Sequence, residues 1–207
     1  MKVLLINGSP NTEGCTATAL HEVERTLQKQ QIETEMIQVG NKDIRGCISC
    51  RKCHTLGKCI FDDEVNEVAT RLEEFDGIVV GSPVYYASPN GTLLAFLDRL
   101  FYSTPVDMTM KVGASVASAR RAGCTATFDV LNKYFTISGM PIVSSQYWNN
   151  VHGFTKEDVL QDAEGLQTMR VLANNMAFMI KSFSLGKKEY GLPEKEKRVM
   201  TSFHSTR

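Results

Sequence analysis

The chain has 207 residues and carries 23 Lys plus Arg against 23 Asp plus Glu, so its formal charge is zero. That neutrality supplies no global field for nucleic acid or an anionic membrane, and 43% apolar with 22% charged residues excludes a disordered chain. No apolar run is long enough to span a bilayer, and the opening MKVLLINGSP is too short an apolar stretch for a signal peptide, so a cytoplasmic location is expected.

Lys2 to Asn7 (KVLLIN) reads as a buried strand ending in a Gly-Ser-Pro-Asn turn. A helix follows from Thr16, with Leu20, Val23 and Leu27 on one face and Glu22, Glu24 and Arg25 on the other. Ile32 to Val39 alternates as a second strand. Gly40 to Phe61 has no period. Asp62 or Asp63 caps a second helix bearing Val65, Val68, Ala69 and Leu72. Gly77 to Gly81 (GIVVG) is a third strand, and Leu93, Leu94, Leu97 and Leu100 mark a third helix. Val112 to Ala117 is a fourth strand, followed by a helix with Val130, Leu131, Tyr134 and Phe135. Met140 to Ser144 is the expected fifth strand. Leu166, Met169, Ala173, Met176 and Ile180 outline the last helix, where Met169, Met176 and Met179 read as core or interface filler. Strands alternating with helices, with continuous apolar cores, predict an α/β fold: a three-layer, doubly wound, five-stranded parallel sheet. Residues 1–185 are expected to form one domain with a cysteine-rich loop at 45–60, and 186–207 a charged tail.

In such a sheet, ligands sit at the carboxyl ends of the strands. After strand one, Gly8 to Thr16 (GSPNTEGCT) opens a helix with hydroxyls, an amide and free N–H groups. This composition suits one phosphate, although it is neither a Walker loop nor a dinucleotide fingerprint. The alternative is a Ser/Thr-rich turn that only caps the helix. After strand three, Pro83 to Gly91 (PVYYASPNG) offers stiff backbone and two flat tyrosine faces, which suit a planar heteroaromatic ring. The alternative is an ordinary turn with two partly buried tyrosines.

Together, GSPNTEGCT at 8–16 and SPVYYASPNG at 82–91 resemble the flavodoxin-like flavoproteins, specifically the NAD(P)H-dependent FMN reductase group. The resemblance implies that Ser9, Asn11 and Thr16, with Gly14 and Cys15 in the same loop, hold the FMN phosphate. It implies that Pro83, Val84, Tyr85 and Tyr86 border the isoalloxazine, and that Ser118, Arg120 and Gly123 close the far side. Many relatives carry Arg and Asn where this chain has Asn11 and Cys15, which leaves the phosphate charge to neutral donors and the helix dipole. Cys15 itself reads as a small helix-start residue.

Cys47, Cys50, Cys53 and Cys59 form C-x2-C-x2-C-x5-C, beside Arg45, Arg51, Lys52 and Lys58. Four thiolates in one loop suit a [4Fe–4S] cluster, one cysteine per iron. Tetrahedral zinc and a metal-free reduced loop are the alternatives. In this position the spacing resembles the iron–sulfur flavoproteins of anaerobic microbes, a likeness running from Met1 to about Ile180. It implies a cluster on these four cysteines, close to FMN across an oligomer interface, in a homodimer or homotetramer.

Ser144 to Gly153 holds the lone Trp and a His. It is expected to be a lid over the flavin, with Tyr147 or His152 delivering protons, or else a packed aromatic loop at a subunit interface. Arg120 and Arg121 suit the phosphate or carboxylate of a donor or substrate. His21 and His204 read as surface residues. The expected activity is an FMN-dependent oxidoreductase taking electrons from NAD(P)H or ferredoxin to a small acceptor such as a quinone, a flavin or an oxygen species. A non-enzymatic flavodoxin-type carrier and a metal- or redox-sensing cysteine-loop protein are the alternatives.

Overall fold

The computed structural model describes residues 1–197 and 199–201; His204 lies outside the described residues. Five strands, β1 (Lys2–Asn7), β2 (Glu33–Gln38), β3 (Gly77–Pro83), β4 (Val112–Ala119) and β5 (Asn150–His152), pair in parallel in the order β2-β1-β3-β4-β5. That is the strand order of flavodoxin-like doubly wound folds, with its switch between β1 and β3. The helices are α1 (Cys15–Lys29), α2 (Cys53–Leu56), α3 (Glu64–Ala69), α4 (Gly91–Ser103), α5 (Cys124–Ile137), α6 (Lys156–Gln161) and α7 (Ala163–Tyr190). Among the described residues, no helix is long and apolar enough to cross a membrane.

The continuous apolar strands have a simple cause. Side chains alternate between faces, and both faces are covered. Val3, Leu5, Val79, Ala114 and Val116 pack beneath α1 and α7 with Leu20, Val23, Met169, Leu172 and Met176. Leu4, Ile6, Ile78 and Val80 pack on the other side with Val65, Phe96, Leu97, Leu100 and Phe135. Met169 and Met176 are thus core filler, and Met179 packs against the same cluster.

The expected fifth strand is displaced. Met140 to Ser144 makes a single bridge, Ile142 to Gly113, through Gly113 N–H to Pro141 O and Val143 N–H to Gly113 O, both 2.9 Å. Pro141 has no N–H to continue a ladder, and the chain then leaves the sheet. Ser145 Oγ donates to Thr168 O on α7 at 2.7 Å, and buried Asn149 donates Nδ2–H to Ser115 O at 3.1 Å. A side chain therefore takes a β4 carbonyl that a regular fifth strand would take, and pairing resumes only at β5. Two further differences are smaller. The cysteine segment contains a single helical turn, α2, and the last helix runs through Gly186 to Tyr190, ending at Gly191 with φ 75°.

Candidate functional site

The carboxyl ends of β1, β3 and β4 open into a cleft of about 640 Å³. Its first wall is the loop after β1. Asn7 Oδ1 accepts from Ser9 N–H at 3.0 Å, Ser9 Oγ from Asn11 N–H at 3.1 Å, and Asn11 Oδ1 from Glu13 N–H at 3.1 Å. These successive side-chain turns wind the loop tightly and use acceptors, which leaves the Ser9 hydroxyl proton and the Asn11 amide as donors. Gly14 caps α1 without a side chain, and the first turn of α1 has no acidic residue. The first N–H groups of α1 therefore face the cleft as donors at the positive end of the helix. Thr16 and Ser118, both buried, join their hydroxyls at 2.8 Å and tie this loop to the end of β4.

The second wall is Pro83, Val84 and Tyr85. Val84 N–H donates to Ser118 O at 2.9 Å, extending the β3–β4 pairing. Tyr85 and Ser88 then exchange backbone bonds of 2.9 and 3.0 Å around Tyr86 (φ 50°) and Ala87 (φ 57°), a tight turn of type I′. Tyr85 is half exposed and borders the cleft. Tyr86 sits at the tip of the turn, fully exposed and off the cleft wall, because the turn flips its side chain outward. Gly123 (φ 93°) does not line the cleft either. A Cβ there would stand 2.7 Å from Val84 Cγ1, so glycine lets α5 start tight behind the tyrosine loop. Ser118, Ala119 and Arg120 form the remaining edge.

Sequence reasoning missed a third wall, Gly153 to Glu157. Its signal is the Thr155-x-x-Asp158 capping box just after β5: Asp158 N–H donates to Thr155 Oγ1 at 3.3 Å, and Thr155 N–H donates to Asp158 Oδ2 at 3.0 Å. Cys15 fastens this wall, its thiol donating to Gly153 O (3.5 Å) and Thr155 O (3.3 Å). Burial pushes the Cys15 thiol up from its ordinary value, so it stays a neutral donor. Lys156 reaches Glu13 across the mouth at 3.8 Å.

Tyr147 and His152 are not brought to this cleft. They line an adjoining hollow of about 170 Å³ with Trp148 and Asp162. His152 N–H donates to Asp162 Oδ2 at 2.7 Å, and its ring bonds Ala119 O through Nδ1 (3.2 Å) and the Asn150 amide through Nε2 (3.0 Å). The Tyr147 and Trp148 rings lie 5.1 Å apart, tilted by 57°, and are more than half exposed. Arg120, Arg121 and His21 are exposed.

The four loop cysteines face one narrow hollow, of about 20 Å³, together with Ile48, Ile60, Phe61 and Arg99. All are free thiols. Ser49 (φ 54°), Arg51 (φ 58°) and Gly57 (φ 67°) wind the loop through left-handed positions that turn successive cysteines inward. Asn66 pins Cys59 by accepting from its N–H and donating to its C=O, both at 3.0 Å. Four thiols on one hollow are the donor set of a cluster or zinc, but among the described residues no three His, Cys, Asp or Glu side chains already stand in metal-binding geometry. Arg99 also escaped sequence reasoning. It is buried on the apolar stripe of α4, three residues after Phe96, and that position is its signal. Burial disfavours its charge, but the Asp63 carboxylate and Cys59 outweigh this and raise its pKa.

Neutral donors at a helix start, joined in one cleft to a flat apolar wall, fit a phosphate monoester carrying a planar ring system. The chain matches the family described as NADPH-dependent FMN reductase over residues 1–155. It is 33% identical over 192 residues to an iron–sulfur flavoprotein of Methanocaldococcus jannaschii, covering 87% of this chain and 98% of that protein. Among solved structures it is similar to RosB with bound 8-demethyl-8-formylriboflavin-5'-phosphate (TM-score 0.71, 13% identity, 100% of this chain and 94% of that one). It is also similar to an apo NADH:FMN oxidoreductase (TM-score 0.60, 21% identity, 87% and 89%). At those identities the structural likeness is one of fold.

Proposed function

The chain belongs to the NADPH-dependent FMN reductase family, and on that premise we propose that it is an FMN-dependent oxidoreductase moving electrons from NAD(P)H or ferredoxin to a small acceptor, by way of a [4Fe–4S] cluster. The observation carrying the flavin reading is the single 640 Å³ cleft that joins the α1 donors to the Pro83–Tyr85 wall. Bound FMN supplies hydride acceptance at its N5 and one-electron transfer, and a cluster supplies one-electron steps.

The residues divide the remaining work. Ser9, Asn11 and Thr16, with the N–H groups of Gly14 and Cys15, hold the phosphate through neutral donors and the roughly half-unit positive charge of the helix start. Pro83, Val84 and Tyr85 would border the ring system, with Tyr86 on the outer tip of their turn and Gly123 behind it. Ser118 would border the flavin, and Arg120 would receive the phosphate or carboxylate of the incoming donor. The third wall, tied down by Cys15, keeps water from the phosphate end. Cys47, Cys50, Cys53 and Cys59 hold the cluster, a reading supported by their common hollow and by the name of the archaeal relative. The flavin cleft and the cysteine hollow share no lining residue. On this reading the cluster of one copy would serve the flavin of another, in a cytoplasmic homodimer or homotetramer. The exposed Tyr147–Trp148 pair and His152 cover the cleft of a neighbouring copy, where Tyr147 or His152 delivers protons.

The test is protein purified without oxygen, with its absorbance spectrum, released flavin, iron, sulfide and zinc measured, and NADH, NADPH and reduced ferredoxin tried with a quinone. Bound or readily added FMN, four irons per chain and NAD(P)H turnover are expected. Failure to take up FMN refutes the flavin site. Zinc in place of iron refutes the cluster, and rapid reduction by ferredoxin without turnover on any acceptor identifies a carrier.

A further inference from the structure

Arg99 is the most enclosed charge among the described residues. Its side chain is 1% exposed, and all five of its N–H bonds are directed at acceptors. Nε–H donates to Cys59 Sγ at 3.3 Å. Nη1 donates to Asp63 Oδ2 at 2.6 Å and Arg45 O at 3.3 Å, and Nη2 to Asp63 Oδ1 at 2.8 Å and Phe61 O at 3.3 Å. Arg45 precedes the first loop cysteine, whereas Cys59, Phe61 and Asp63 include or follow the last. One guanidinium thus bolts both ends of the cysteine loop to α4, with the Phe61 ring 5.1 Å from its centre.

We propose that Arg99 is a positioning residue for the cysteine centre: it orients Cys59 as the anchoring ligand and raises the reduction potential of the iron–sulfur cluster. The inference rests on the cluster assigned under the proposed function. Cys59 is held at its backbone by Asn66 and at its sulfur by Arg99, while Cys47 and Cys50 are exposed and adapt to it. Reduction adds negative charge to a thiolate-ligated cluster. A buried cation donating N–H to one of its sulfurs stabilises that charge, and outer hydrogen bonds to the sulfurs are one of the protein's controls over such potentials. Asp63 acts in the opposite sense, because its carboxylate neutralises much of the guanidinium.

A loop bolt without electrostatic effect would hold iron and leave the potential alone, so the potential is the deciding readout. Arg99→Lys keeps the charge but loses the fork and the Nε–H···S bond. Asp63→Asn keeps a side chain able to cap α3 while removing the negative charge. Each variant, reconstituted as holoprotein, is assayed for iron and sulfide and titrated redox-potentiometrically with spectroscopic detection of the cluster. We expect iron retained in both. The Arg99→Lys midpoint should fall by about a tenfold change in the reduction equilibrium, 59 mV for one electron, and the Asp63→Asn midpoint should rise. Iron-loaded variants with unmoved midpoints, or midpoints moving in the same direction, overturn the inference while the cluster stands. If Arg99→Lys fails to fold, an unmoved or lowered Asp63→Asn midpoint overturns it alone. Wild-type protein without iron overturns the cluster reading itself.

Discussion

Thr16→Val separates the fold from the flavin at one atom. The substitution keeps the shape of the side chain and deletes the hydroxyl that meets Ser118 Oγ at 2.8 Å, with Thr16 1% and Ser118 4% exposed. Ser118 is left with a buried hydroxyl lacking its partner, which costs about 1–3 kcal/mol. Removing both hydroxyls in Thr16→Val/Ser118→Ala leaves no orphan, so the double variant should cost clearly less than the two single variants summed, a coupling of about 1–3 kcal/mol. Urea unfolding of the flavin-free protein measures this, with the slope checked for constancy so that the midpoint reports stability. Loss of a hydrogen bond to a charged phosphate is worth about 1.5–3 kcal/mol, or roughly 10- to 100-fold in FMN affinity. Riboflavin, which lacks the phosphate, should bind both proteins alike. A Thr16→Val cost below about 0.5 kcal/mol, or equal losses for FMN and riboflavin, would refute this assignment of Thr16.

Other outcomes follow from the same geometry. Thr155→Ala removes the α6 capping box and should cost about 1 kcal/mol, seen as a lower Tm, with weaker FMN binding because the third wall loosens. The guanidinium of Arg71, then the ammonium of Lys2, hold Glu35 down at about 2 in the folded state. Its unfolded value is about 4.3. A depressed folded value gives stability that is full above the unfolded value and lost as pH falls towards 2, worth about 1 kcal/mol after solvent screening. Glu35→Gln should therefore flatten stability against pH between about 4.5 and 2. His152→Ala should slow steady-state turnover, and turnover equal to wild type would remove the proton-delivery role of its ring. Gly113→Ala puts a Cβ 2.5 Å from the Phe135 ring and should cost about 1–3 kcal/mol, partly restored by Phe135→Leu in urea melts.

Much of the architecture was legible because its cause is local. Val3 to Ile6 and Ile78 to Val80 are apolar at consecutive positions because both sheet faces are covered, and that pattern survives in one dimension. The neutral loop at 8–16, the Pro83–Tyr85 wall and the cysteine spacing are likewise contiguous, so their chemistry could be read from composition, and the structure brings Ser9, Asn11, Gly14, Cys15, Thr16, Pro83, Val84, Tyr85, Ser118 and Arg120 to one cleft. What only the tertiary structure decided depends on partners far away in sequence. The fifth strand moved from Met140–Ser144 to Asn150–His152 because Asn149 and Ser145 satisfy carbonyls on β4 and α7. The third wall exists because Cys15 reaches residues 138 and 140 positions further on. Arg99 reads in sequence as a polar interruption of an apolar stripe, and only its five acceptors, gathered from both ends of the cysteine loop, make its burial affordable. Charge balance and periodicity determine that this chain folds as a parallel sheet with ligand loops at one edge. Which side chains meet across that edge is set by hydrogen bonds that no local pattern encodes.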